Sequence, residues 1–153
     1  MSKQRDRNAD RRFPVLLREV WFTLNKAFRK RLRDTDLTPA QFTVLRWLNE
    51  SGAGKLSQKD LAGLTASNPN NVADLIDRLE ARGWVRRKKD RNDARRNVIW
   101  LTNTGRSIYE KGRMNAIALQ EEVLHAFSTE EREHLLHLIA RVNENLSLEK
   151  TLS

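Results

Sequence analysis

At 153 residues, with a formal net charge of +9 and a sequence pI near 10.5, the chain is sized for one domain, or one small domain with helical extensions, and suits an acidic partner. An apolar share of 39% allows a real core, and zero cysteines exclude disulfides, thiolate zinc sites and thiol-based sensing. No apolar run approaches the roughly 20 residues that span a bilayer, and Met1 to Arg12 lacks the apolar segment of a signal peptide, so a cytoplasmic protein is expected.

The charge is concentrated. Between Arg82 and Arg96, eight bases (Arg82, Arg86, Arg87, Lys88, Lys89, Arg91, Arg95, Arg96) face two acids (Asp90, Asp93), a net +6, whereas residues 103–153 sum to −2. A localised cationic segment favours nucleic acid over an anionic membrane as the partner.

In chain order, residues 1–12 are polar and carry +3, and are expected to form a disordered basic arm, either a solubilising tail or an extra phosphate contact. Phe13, Leu16, Leu17, Val20, Trp21, Leu24, Phe28 and Leu32 then step at helical spacing over about five turns, which predicts a long amphipathic first helix with a basic end. Thr38, Gln41 and the pair Leu37 and Phe42 supply cap, capping box and staple for a second helix, with Phe42, Leu45 and Leu48 facing the core and Gly52 and Gly54 ending it. Ser57 caps a third, short helix, with Asp60 three residues on, Leu56 and Leu61 as staple, and Leu61 and Leu64 as its apolar face. Asn68 and Pro69 open a fourth, along which Val72, Leu75, Ile76 and Leu79 recur until Gly83 terminates it.

Two short helices on a tight connection are a helix-turn-helix, and the second is the one whose N-terminal residues would enter a major groove. The stretches 84–88 and 97–101 are rich in β-branched and aromatic residues and flank a charged, turn-prone 90–96, a β-hairpin with a basic tip. Thr102 or Thr104 caps a further helix carrying Ile108, Tyr109, Ala116, Leu119, Val123 and Leu124, and Ser128 with Glu131 opens a last one carrying Leu135, Leu138, Ile139, Val142 and Leu146. Helices that project beyond a small core must bury their apolar stripes, and a second copy of the chain is the natural partner. The expected fold is mainly α with a small β-hairpin: a winged helix-turn-helix domain over 37–102 plus a helical dimerisation region over 13–36 and 103–153.

Three segments together resemble the MarR family of bacterial transcriptional regulators: Leu37-Thr38-Pro39-Ala40-Gln41-Phe42, Leu56-Ser57-Gln58-Lys59-Asp60-Leu61-Ala62, and the run from Leu75 to Val85. Asp93-Ala94-Arg95 in the hairpin, then Leu101-Thr102 and Gly105, extend the likeness over nearly the whole chain. The resemblance implies a homodimer on a pseudo-palindromic double-stranded DNA operator, with recognition helices in successive major grooves and wings in the minor groove.

Under that reading Arg95 is the first candidate for the minor groove, where negative potential is deepest, with Arg91, Asn92 and Arg96 beside it. Asp93 either holds Arg95 or a neighbouring arginine in place or is an ordinary turn former. Asn70, Asn71, Asp74 and Arg78 lie on the exposed side of the recognition helix, and Asn can pair bidentately with adenine. Ala73 stands where many relatives have Thr or Ser. Ser57, Gln58, Ser67 and Asn68, at helix starts, are candidate phosphate contacts.

Relatives commonly take small anionic or aromatic effectors, such as aromatic carboxylates or acyl thioesters, between the dimer helices and the winged domain. Here Trp21, Phe28, Phe42, Trp47, Tyr109 and Arg113 could line such a crevice, with Arg18 or Arg46 as anion partners. The implied function is a ligand-released repressor; the alternative is a DNA-binding regulator without an effector, architectural or activating. No cofactor is expected. His134 and His137, near Glu130 and Glu133, read as solvated residues rather than a metal site. No catalytic arrangement is present in the sequence to support an enzyme, and there is no aromatic sheet platform or GXXG loop for RNA.

Overall fold

The computed structural model describes residues 12–65 and 68–151; the expected basic arm and Ser67 lie outside them, apart from Arg12 itself. Helix α1 (Arg12–Arg31) is followed by a 3-10 turn (Arg33–Thr35), α2 (Pro39–Glu50), β1 (Lys55–Ser57), α3 (Gln58–Leu64), α4 (Pro69–Ala81), β2 (Val85–Lys89), β3 (Asn97–Leu101), α5 (Asn103–Leu124) and α6 (Thr129–Thr151). The chain divides into two compact units, Met1–Ala116 and Ile117–Ser153. The first unit therefore takes in α1 and the first part of α5, which the sequence had grouped with the terminal helices.

The helix starts form where local chemistry puts them. Thr38 Oγ1 accepts from the Gln41 amide at 3.2 Å while Gln41 Oε1 accepts from the Thr38 amide at 3.0 Å, satisfying two end donors at once. Ser128 and Glu131 make the same reciprocal pair, at 3.2 and 2.8 Å. Of the two candidate caps for α5, Thr102 is used: its hydroxyl oxygen accepts from the Gly105 amide at 3.0 Å and its proton goes to the Gly83 carbonyl at 2.6 Å. Gly83 has a φ of +71°, the left-handed conformation that ends α4 and turns the chain into β2.

The winged unit packs Leu32, Leu37, Phe42, Leu45, Leu48, Leu61, Ile76, Leu79, Val85 and Ile99 into one core. Against it stands a three-stranded antiparallel sheet of order β1-β3-β2, with Leu56 opposite Ile99 and Arg87 opposite Ile99 from the other side. The third strand was not expected: Lys55–Ser57 is too short to display a period of two. Phe28, Phe42 and Tyr109 form an aromatic ladder, edge-on at 5.2 Å and then stacked at 5.6 Å, that ties α1, α2 and α5 together. Two glycines allow α5 its close approach. A Cβ at Gly105 would overlap the Trp84 carbonyl oxygen, and one at Gly112 would lie 2.6 Å from the Phe42 ring.

The apolar stripes are only partly consumed. Leu32 is fully buried and Phe28 packs on the core, but Phe13, Leu16, Leu17, Val20 and Trp21 are 46–65% exposed, and Val15 and Phe22 on the flanks are exposed as well. Leu138, Ile139 and Leu146 of α6 are also exposed. Leu64, expected to share the core face of α3 with Leu61, is 41% exposed; Ala62, next to Leu61 in the seven-residue helix, takes the second buried place.

Candidate nucleic-acid interface

Helix α4 is held from behind by Val72, Ile76 and Leu79, all buried. That anchoring fixes its rotation, so Asn70, Asn71, Asp74 and Arg78 stand exposed together on the other side, and Ala73 is half-buried. Asn68 accepts from the Asn70 amide at 2.9 Å, closing the helix start, with Pro69 at the first position. A further restraint was not legible in the sequence. Arg87 reaches from β2 to Asp77 at 2.7 Å and Glu80 at 2.9 Å, two acids one turn apart on α4, and so bolts the recognition helix to the hairpin.

The hairpin tip is a closed loop. The Asp90 amide donates to the Arg96 carbonyl at 2.8 Å and the Arg96 amide to the Asp93 carbonyl at 3.0 Å. Two aspartates brace it from inside: Asp90 Oδ1 accepts from the Asn92 amide at 2.8 Å and Asp93 Oδ1 from the Arg95 amide at 3.0 Å. The Asp93 contact is that of a turn former, made to the Arg95 backbone amide rather than to its guanidinium. Arg91, Asn92 and Arg95 are exposed around the tip.

At the start of α3 the Ser57 hydroxyl is occupied by its own helix. Ser57 is only 5% exposed, its oxygen accepts from the Asp60 amide at 3.1 Å, and its proton goes to the Asp60 carboxylate. The Ser57 hydroxyl thus serves as the α3 cap, the role that capping chemistry gives it in the DNA-free protein. The Ser57 hydrogen bond also holds the Asp60 carboxyl below the ordinary carboxylate range, with Arg96 adding to the effect, so Asp60 is charged at neutral pH. Arg96 Nη2 lies 3.5 Å from that carboxylate. Between the start of α3, Pro69 of α4 and the base of the hairpin opens a groove of about 600 Å³ lined by Ser57, Gln58, Lys59, Arg95 and Arg96 among others. Gln58, Lys59 and Arg96 thus share one groove. Lys59 gave no separate signal in the sequence, being one more base in a capped start.

The residues expected to line an effector crevice are divided by the structure. A groove of about 890 Å³ does lie between α1, α2 and α4, and Trp21 lines it. Phe28, Phe42 and Tyr109 do not, because they are the core ladder, and burial pushes the Tyr109 phenol up. Arg46 is stacked on Trp47 at 4.9 Å. Arg113 clasps both carboxylate oxygens of Glu110 from Nε at 2.9 Å, and Arg18 is outside the lining. The cations of the groove are instead Lys26, Arg29 and Arg78, with Phe22, Thr38 and Thr43 beside them.

A recognition helix fixed at a set angle to a cationic hairpin is the surface of a winged-helix DNA-binding protein. The profile of the MarR family matches residues 37–96. Transcriptional regulator HosA of Escherichia coli is 31% identical over 107 residues, 70% of this chain and 78% of HosA. Among solved structures, a mutant MarR from E. coli complexed with operator DNA superposes with a TM-score of 0.79 at 25% identity, covering 88% of this chain and 96% of that one. BpsR of Bordetella bronchiseptica, whose DNA binding is described as regulated by 6-hydroxynicotinic acid, gives 0.77 at 27% identity, covering 86% and 98%. The chain belongs to the MarR family of DNA-binding transcriptional regulators and is not an enzyme. Among the described residues, no helix is long and apolar enough to cross a membrane.

Proposed function

We propose that the protein acts as a homodimer on a pseudo-palindromic operator, as a repressor released by a small aromatic anion. The observation that carries the reading is the pairing of the α4 face (Asn70, Asn71, Asp74, Arg78) with a braced tip presenting Arg91 and Arg95. In this reading α4 enters the major groove and Arg95 the minor groove, while Gln58, Lys59 and Arg96 face phosphates. The dimer follows from the apolar side chains left in water on α1 and α6.

The effector reading rests on the groove beside α4. Trp21 and Phe22 offer ring faces and Lys26, Arg29 and Arg78 offer charge, the chemistry of an aromatic carboxylate, and an aromatic carboxylate regulates the related BpsR. Asn71 and Arg78 belong both to this groove and to the DNA-facing set, so an occupant that engages them disfavours the DNA-bound arrangement by its differential affinity, typically about 1–3 kcal/mol.

Selection of bound duplexes from a random pool is the test. The expected product is two half-sites about 10 bp apart, bound about tenfold or more weakly after Arg95→Ala, and released by hydroxylated aromatic carboxylates. Recovery of no common sequence, or an Arg95→Ala protein with undiminished affinity, would overturn the DNA mode. Failure of every such acid to weaken the complex would leave a regulator without an effector, architectural or activating.

A further inference from the structure

The wing holds its arginines in three different ways. Arg87 is locked between two acids at 2.7 and 2.9 Å, Arg95 is exposed, and Arg96 rests on a carboxylate at 3.5 Å with both side chains about half exposed (52%). The Arg96 contact is not needed to shape the hairpin, because the backbone hydrogen bonds from the Asp90 amide to the Arg96 carbonyl and from the Arg96 amide to the Asp93 carbonyl already close the tip. Nor does it serve the α3 cap, which Ser57 and Asp60 complete between themselves. It joins two elements that are each finished without it, at the edge of the groove that Arg96 lines.

We propose that Asp60 is a specificity-determining residue, which parks Arg96 against the start of α3 so that the guanidinium is released only to a phosphate that operator docking brings into place. A half-exposed contact at this distance is weak enough to be exchanged and strong enough to bias where the guanidinium waits. Random DNA, held loosely by counterion release, does not present a phosphate at a fixed point and gains little from Arg96. Operator DNA, fixed by α4, does. The residue thus withholds one cation from sequence-independent binding and raises the ratio of operator to random affinity. This inference rests on the DNA-binding reading above.

Asp60→Asn is the test. The amide keeps an acceptor for the Ser57 hydroxyl, so the α3 cap survives, while the charge that holds Arg96 is gone. Asp60→Ser is the second variant and carries the same expectation. Binding to a random-sequence duplex is measured against salt for the wild type, each variant, Arg96→Ala, and the doubles. Freeing Arg96 should steepen the slope of log affinity against log salt by about 0.9 per protomer, tighten random binding at low salt about threefold to tenfold, and lower the operator-to-random ratio. Adding either Asp60 substitution to Arg96→Ala should produce no such gain. The proposal is overturned if the slope stays put in folded variants, or if the gain persists without Arg96, which would mean that Asp60 merely repels phosphate. A wild-type protein that binds no duplex at any salt would overturn the underlying reading as well.

Discussion

Arg87 shows how much a single side chain can set at an interface it does not touch. Its two acids sit on the recognition helix, so the guanidinium fixes the angle between α4 and the hairpin. With side chains 32–55% exposed the pairs are screened, and Arg87→Ala should cost about 1 kcal/mol or less in a denaturant titration. Operator affinity should fall by more than that loss accounts for, because both reading elements then share a loosened joint; an affinity unchanged within error would show that the hairpin needs no such brace. In the sequence, Arg86, Arg87 and Lys88 are indistinguishable bases. Only the register that places Arg87 opposite Ile99, on the inward face, separates it from its neighbours. Caps are the opposite case. Thr38 with Gln41, and Ser128 with Glu131, interact across three residues and were readable directly, because the partner is in the same turn.

Elements were legible in proportion to their length and to the locality of their signals. The six α-helices of the described residues follow from periodicity and caps, while β1, three residues long and paired with β3 some forty positions away, does not. The approach of α5 was equally silent: Gly105 enters the family likeness, but neither it nor Gly112 shows in the sequence what it rests on. Yet the space at each is full: Gly105 rests on the Trp84 backbone and Gly112 on the Phe42 ring. Gly105→Ala should therefore destabilise the winged unit by about 2 kcal/mol or more, since the obstructing atom is main chain and cannot rotate away. Gly63→Ala, in a helix with open space around the site, is the matched control. Equal melting temperatures for the two variants would contradict the close approach.

Across the whole molecule, amphipathic periodicity names the apolar positions but not what covers them. Phe28, Phe42 and Tyr109 had the same signature as Trp21, yet the first three are core and the last lies open, which is why the effector residues were the least legible part of the site. The same ambiguity hides the partner of α1, whose Leu17 and Val20 are 46% and 62% exposed. Under the dimer reading, Val20→Asp should shift the sedimentation of the protein toward the mass of one chain and weaken operator binding together; a dimer that persists would place the contact elsewhere. Trp21, 65% exposed at the edge of the groove between α1, α2 and α4, has one more consequence. Its indole faces water while Trp84 is buried and Trp47 and Trp100 are half-buried, so an occupant of that groove should alter the Trp21 share of the native fluorescence, a change that Trp21→Phe should abolish.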